Sequence, residues 1–460
     1  MISLRALRAG ALALALMAVP TTAQAETLRQ ALASAYANNP QILAALLDIK
    51  SSAENIALAK SGLRPTIGMG LGADADFRGG GSGGYVTSQN FTIGLSYKQT
   101  LFDNHKTDAQ IEQARAATEI SKHALRNAEQ NVLLNVVQAY MNVIRDQQLV
   151  ALRAENVEFY QTQVKSADDR LSIGEGTKID VSQAQARLAQ GQAAYQAALA
   201  NLQTSQASYQ RWVGHKPSNL SADFKFGGLM PKSLDQAISL AETGHPAILM
   251  ASASIRAAQA GLDVAKASFG PSLTLDGSLG GATTFTNANP AGSNVGTTGT
   301  SGKVALSLTI PFYAGGALGA QVRKANVGQV KSEVEALSTR DELREAIIKS
   351  WASLQAATAQ IDAAVSALNA GQLALEGVIQ ERDVGQRTTL DVLNAQSELT
   401  TTRENLIMAR NARVIASFAL IAATGRLSPQ ELNLGVEVKS ADGYIAKVED
   451  VWQELYAIDE

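Results

Sequence analysis

Cysteine is absent from the 460-residue chain, which excludes a disulfide framework and a lipid-attachment cysteine, so the fold rests on packing alone. Aromatic residues are scarce at 5%, leaving few bulky groups for one thick globular core. Ala, Gln, Ser and Asn are plentiful instead, a composition that suits long helices and an extended architecture. No excess of one charge sign exists either. With 39 Lys and Arg against 42 Asp and Glu, the net charge of -3 and the pI near 5.9 argue against a nucleic-acid partner. Long apolar runs are missing too, apart from one near the start. There Arg5 and Arg8 precede an apolar run over 11–19, Pro20 breaks it, and Ala23-Gln24-Ala25 supplies small residues for a signal peptidase. This order predicts a cleavable secretory signal over 1–25 and a mature chain beginning at Glu26. The run falls short of the ~20 residues that a spanning helix needs, and no later stretch is expected to cross a bilayer as a helix. A periplasmic protein, a secreted one or an outer-membrane β-barrel remains.

What is present is one unit written twice. Thr27-Leu28-Arg29-Gln30-Ala31 returns as Ser233-Leu234-Asp235-Gln236-Ala237, and Asn39-Pro40 as His245-Pro246. Pro65 returns as Pro271 and Phe102 as Phe312. Gly174, Thr177, Asp180-Val181, Ala184-Gln185 and Leu188 return as Gly385, Thr388, Asp391-Val392, Ala395-Gln396 and Leu399. Self-similarity over this length predicts two structural repeats, 26–214 and 233–425, with a linker over 215–232 and a C-terminal segment over 426–460.

Each repeat reads in the same order. An Ala-rich helix over 28–62 is interrupted at Asn39-Pro40, where proline resists continuation, and Arg64-Pro65 ends it. Two alternating runs follow: Ile67, Met69, Leu71, then Phe91, Ile93, Leu95, Tyr97. The Gly-rich stretch 78–84 between them reads as a flexible loop. The second repeat copies this with Leu273, Leu275, Leu279, a long polar loop over 286–302, and Val304, Leu306, Leu308, Ile310, Phe312. Period-two alternation predicts strands with one apolar face. Long helices are expected over 104–172 and 316–384, each about 100 Å at ~1.5 Å per residue. In the second, Leu343, Ile347, Trp351, Leu354, Ile361, Val365 and Leu368 form a coiled-coil-like stripe. Both helices stop at glycine, Gly174 or Gly385, and a second helix runs back to Gly214 or Gly425.

Four strands cannot close a membrane barrel alone, because such barrels start at about eight strands and no open edge faces lipid. Several chains must then share one barrel. Phe91, Ile93, Leu95 and Tyr97, with Val304, Leu306, Leu308 and Ile310, are the expected lipid-facing residues; Thr92, Gly94 and Ser96 would face the lumen.

With this plan the mature sequence resembles the TolC family of outer-membrane efflux proteins over essentially its whole length. The resemblance is carried by the duplication, by Gln99-Thr100-Leu101-Phe102-Asp103, by Ile310-Pro311-Phe312-Tyr313-Ala314-Gly315-Gly316, and by the run from Val384-Gly385-Gln386-Arg387 to Asn394-Ala395. It implies a mostly α chain of duplicated long antiparallel helical hairpins. Three chains would form a helical tunnel, capped by four strands per chain in a trimeric twelve-stranded transmembrane β-barrel. It also implies an exit duct in the cell outer membrane for drug efflux or type I protein secretion, docked to a periplasmic adaptor and an inner-membrane efflux pump or ABC transporter, with outer-membrane lipid around the barrel. Neither catalysis nor a cofactor is implied.

By the same resemblance, the hairpin tips form the periplasmic gate. Asp391 occupies the first of two aspartate positions that ring the closed entrance, and Asn394 stands at the second. Asp180 and Arg387 match a bridge between neighbouring tips, while Arg382 and Ile179 replace a tyrosine and a threonine of that network. From the residues alone, Asp180 and Asp391 also suit the first turns of the returning helices, where acidic groups are favoured. Other signals carry no chemistry. The stretch 78–84 lacks the Gly-Lys-Ser/Thr ending of a phosphate loop, and His105, His123, His215 and His245 lack metal-ligand spacing. The alternative to a duct is a periplasmic coiled-coil adaptor or spacer without a barrel. The sequence leaves open whether the C-terminal segment packs at the waist of the tunnel.

Overall fold

The computed structural model describes residues 25–80, 84–222, 227–287 and 294–452; the expected signal lies outside them, apart from Ala25. The first half runs α1 (Leu28–Asn38), α2 (Pro40–Lys60), β1 (Thr66–Gly80), β2 (Gly84–Phe102), α3 (Lys106–Ser172) and α4 (Lys178–Val213). The second half repeats the order as α5 (Leu234–Gly244), α6 (Pro246–Ala267), β3 (Ser272–Asn287), β4 (Asn294–Thr309), α7 (Ala317–Asp383) and α8 (Thr389–Ala423). A short α9 (Asp442–Val448) follows.

The duplication reaches the helix ends. Thr27 and Ser233 cap α1 and α5, each accepting from the amide of a glutamine three residues on. Asn39 and His245 cap α2 and α6, so Pro40 and Pro246 sit at the first helical position, where their missing N–H costs nothing. Thr177 and Thr388 close capping boxes on α4 and α8.

The strands are longer than the alternating runs. They form one antiparallel sheet in the order β1-β2-β3-β4. Gly79 and Gly80 pair with Tyr85 and Gly84, so most of the expected first loop is strand. Residues 294–302 of the expected second loop pair with β3 as well. Threonine favours extended backbone, and glycine does not obstruct a ladder whose partner strand is already in register. β4 ends at Thr309, one residue before Ile310, and Phe312 stands outside the sheet.

Both α3 and α7 have 67 residues. Over their first part they alternate with the short helices in the order α2-α3-α6-α7; over their second part the order is α4-α3-α8-α7. The result is a single helical layer with α2 and α4 along one edge and α7 along the other. Between the two levels lies the largest core. There Leu32 and Tyr36 of α1, Val137 and Tyr140 of α3, Tyr209 of α4 and Phe418 of α8 are buried together. The C-terminal segment is pinned to this layer: Glu449 bridges Lys60 and Arg115, Tyr444 donates to Glu54 at 2.6 Å, and Asp442 pairs with Lys122.

One expectation needs correcting. α8 is long and apolar enough to cross a membrane by length and composition. Its apolar residues are explained by packing, since it lies between α3 and α7 and buries Leu406, Leu420 and Ile421 there.

Candidate functional site

The hairpin tips are built by glycine and threonine. Gly174 and Gly385 take φ of 84° and 80°, a left-handed turn that glycine enters without strain. Gly176 follows closely: a Cβ there would lie 3.1 Å from the Leu171 amide nitrogen. Each returning helix then starts with a capping box. The Asp180 carboxylate accepts from the Thr177 amide at 3.1 Å and its hydroxyl at 2.6 Å. Asp391 does the same with Thr388 at 3.0 and 2.8 Å. These bonds hold the Asp391 carboxyl below its ordinary range: the Thr388 amide contributes most, then its hydroxyl, with Arg387 adding a smaller attraction. The first-turn role read from the residues is therefore what a single chain displays.

The expected bridge is not formed within one chain. Arg387 donates to Glu381 at 2.8 Å, in the last turn of its own α7, and among the described residues no ion pair joins it to Asp180. The physical reason is reach, because Glu381 and Arg387 flank the same tight turn. Asn394 accepts from Arg187 of α4 at 2.8 Å, and Arg382 donates to Gln163 of α3. Both contacts tie one hairpin to the other. Sequence reasoning missed Glu381, Arg187 and Gln163, whose types are common on any exposed helix.

Above the tips, polar links continue along the seam between the hairpins. Arg153 pairs with Glu404, Arg403 with Glu155, and the buried Asn156 accepts from Gln396 and Thr400 at 3.1 Å each. Burial pushes the Glu404 carboxyl up, and Arg153 offsets part of that.

The sheet supplies the second surface. Register places Leu71, Ile93, Gly281 and Thr300 in one cross-strand row, and Met69, Leu95, Leu279 and Gly302 in the next. Side chains directly opposite share a face, so Phe91, Ile93, Leu95 and Tyr97 lie on the same face as Val304, Leu306 and Leu308. Ile310 continues this alternation just past the strand end. That face is bare: Ile67 is 69% exposed, Leu71 71% and Val304 82%. The other face carries Gly70, Gly94, Gly280 and Ser301 in one row, and Asp74, Asn90, Thr284 and Thr297 in another. Both outer strands, β1 and β4, have an open edge among the described residues.

Known proteins share this arrangement. The family model for outer membrane efflux proteins matches residues 31–215 and 237–426, the two repeats in turn. Over 438 residues the chain is 36% identical to the outer membrane efflux protein BepC of Brucella suis biovar 1 (strain 1330), covering 94% of this chain and 92% of that one. It is 26% identical to the outer membrane protein TolC of Escherichia coli (strain K12), over 91% of this chain and 86% of that one. The solved Campylobacter jejuni CmeC outer membrane channel superimposes with a TM-score of 0.74 at 18% identity, over 92% of this chain and 89% of that one. CusC gives 0.73 at 19% identity, over 86% and 91%. The chain belongs to the outer membrane efflux protein family, whose members are exit ducts of the outer membrane and not enzymes.

Proposed function

We propose that three copies of this chain close one continuous duct, with the bare apolar face of the sheet against outer-membrane lipid. The observation that carries this reading is that the open edges of the molecule complement each other. β1 and β4 bound the sheet, and α2 and α7 bound the upper helical layer. α2 exposes Leu43, Leu47 and Leu58; α7 exposes Val327, Val330, Val334 and Leu337 at helical spacing. Joining α7 and β4 of one copy to α2 and β1 of the next is a heterologous contact, which forms a ring where the rotation closes. Two copies would give eight strands, a barrel whose interior side chains fill. Three give twelve and leave a lumen. A membrane-free spacer would leave the one-sided apolar face without a matching solvent.

In this reading the polar face of the sheet lines the lumen, and the two hairpins reach about 100 Å into the periplasm. Their tips form the entrance, where Asp180, Arg387, Asp391 and Asn394 gather. Across a seam between copies, Arg387 would exchange Glu381 for the Asp180 of a neighbour and hold the entrance closed. A periplasmic adaptor and an inner-membrane pump or ABC transporter would supply the cargo. Native mass spectrometry of protein extracted in neutral detergent tests the copy number: three chains are expected, and monomers or dimers alone would overturn the proposal.

A further inference from the structure

Near the waist, a cavity of about 420 Å³ opens between α3, α7 and α8, bordered also by Ala222 of the α4–α5 connection. Its size falls within the roughly 300–1,000 Å³ of small-molecule sites. The lining is divided in kind. Met141, Ile144, Ile361 and Ile407 supply an apolar wall, while Arg145, Arg410 and Arg413 supply positive charge, and no acidic residue lines it.

The charge is poorly compensated. Arg145 is neutralised by Asp146, with Nε to Oδ1 at 2.7 Å. Arg410 and Arg413 make no ion pair with any described residue, although they stand three apart on α8 and so share one side of the helix. Like charges at that spacing repel, which makes an anion between them favourable. Asn411 also borders the cavity, but it is 5% exposed and its Oδ1 is enclosed, with its amide turned to the Met141 carbonyl oxygen at 3.5 Å, so the two arginines supply the polar part of the site.

The geometry points to a binding site for a small amphiphilic anion, with a sulfonate-, carboxylate- or phosphate-type head on Arg410 and Arg413 and an apolar body against the isoleucines. The site is lined by one chain only. Ile361 of the edge helix α7 closes one side of it, while Arg145 stands on α3 and Arg410 and Arg413 on α8.

The test uses the full chain in neutral detergent and the probe 6-hydroxynaphthalene-2-sulfonate, followed by equilibrium dialysis with empty micelles as background. Saturable uptake of one probe per chain is expected. Arg410→Gln and Arg413→Gln should each weaken binding about tenfold, as the loss of a charge-assisted contact does. Arg410→Lys should retain more affinity than Arg410→Gln. Both arginines are exposed, so the substitutions leave the core untouched. Uptake no greater than in empty micelles would overturn the site, as would equal affinity in the double Gln variant. Should that variant fail to assemble, wild-type protein decides: equally tight binding of 2-naphthylmethylammonium, a cation of similar shape, would also overturn it.

Discussion

At the tip of the second hairpin, a single threonine lowers the pKa of a carboxylate. Thr388 caps α8 and holds Asp391 in its charged form through an amide and a hydroxyl. Thr388→Ala should cost about 1 kcal/mol of local helix stability, the usual loss for such a cap, visible as faster hydrogen exchange in the first turn of α8. The pH dependence follows in sign. The folded pKa of Asp391 is depressed, so its contribution is complete above the ordinary aspartate value of about 3.9 and fades as pH falls through the lower folded value. Exchange protection at this tip, corrected for intrinsic rates, should therefore drop only in acid. Neighbouring Arg387 makes the sharper prediction. If Glu381 competes with a neighbour's Asp180 for it, Glu381→Gln should lower single-channel conductance at low salt, and Arg387→Ser should raise it. Unchanged conductance in both variants would remove Arg387 from the gate.

At the scale of an element, β2 separates two environments by alternation alone. Leu95→Arg should impair assembly in the membrane, since a charge on the lipid side costs ~2 to 4 kcal/mol at the midplane. Gly94→Arg should be tolerated better, because a Cβ at Gly94 meets nothing nearer than the Leu279 carbonyl oxygen at 3.9 Å. Equal defects at the two sites, measured as the folded fraction in heat-modifiability gels, would contradict the faces. α8 offers a second test, along the hairpin seam. Arg153→Met leaves the Glu404 carboxyl, already raised by burial, without its counter-charge. A raised acid is destabilising once pH exceeds its unfolded value of about 4.3. The loss in thermal stability should therefore be large at neutral pH and shrink toward pH 4. The same elements show how far the sequence could be read. Alternation at Phe91, Ile93, Leu95 and Tyr97 disclosed both the strand and its faces, because a strand buries by parity. Strand ends at Gly80 and Asn294 stayed hidden, since glycine and threonine mark a loop as readily as a ladder when the partner is unknown. Likewise, Arg387 was legible as a tip residue. Its partner Glu381 was not, because the choice between two carboxylates depends on the geometry of the turn.

For the whole molecule, the repeats matter more than any single contact. Each half supplies two strands, a short helical pair and a long hairpin, and the halves meet side by side without closing on themselves. One edge of the layer exposes leucines on α2, the other valines on α7, and the sheet has an open strand at each side. A shape with two complementary open edges is a sector of a ring. The polar seam between hairpins, from Arg153 and Glu404 down to Arg187 and Asn394, joins the two halves within one copy. All of this depends on the sector being one third of the circle with its apolar face outward. Electron cryomicroscopy of the full chain in lipid nanodiscs measures that directly. Three copies around one axis, twelve strands, and Ile93, Leu95 and Leu306 in contact with the lipid annulus are the expected result. Any other copy number, or a barrel with Thr92 and Gly94 facing lipid, would contradict it.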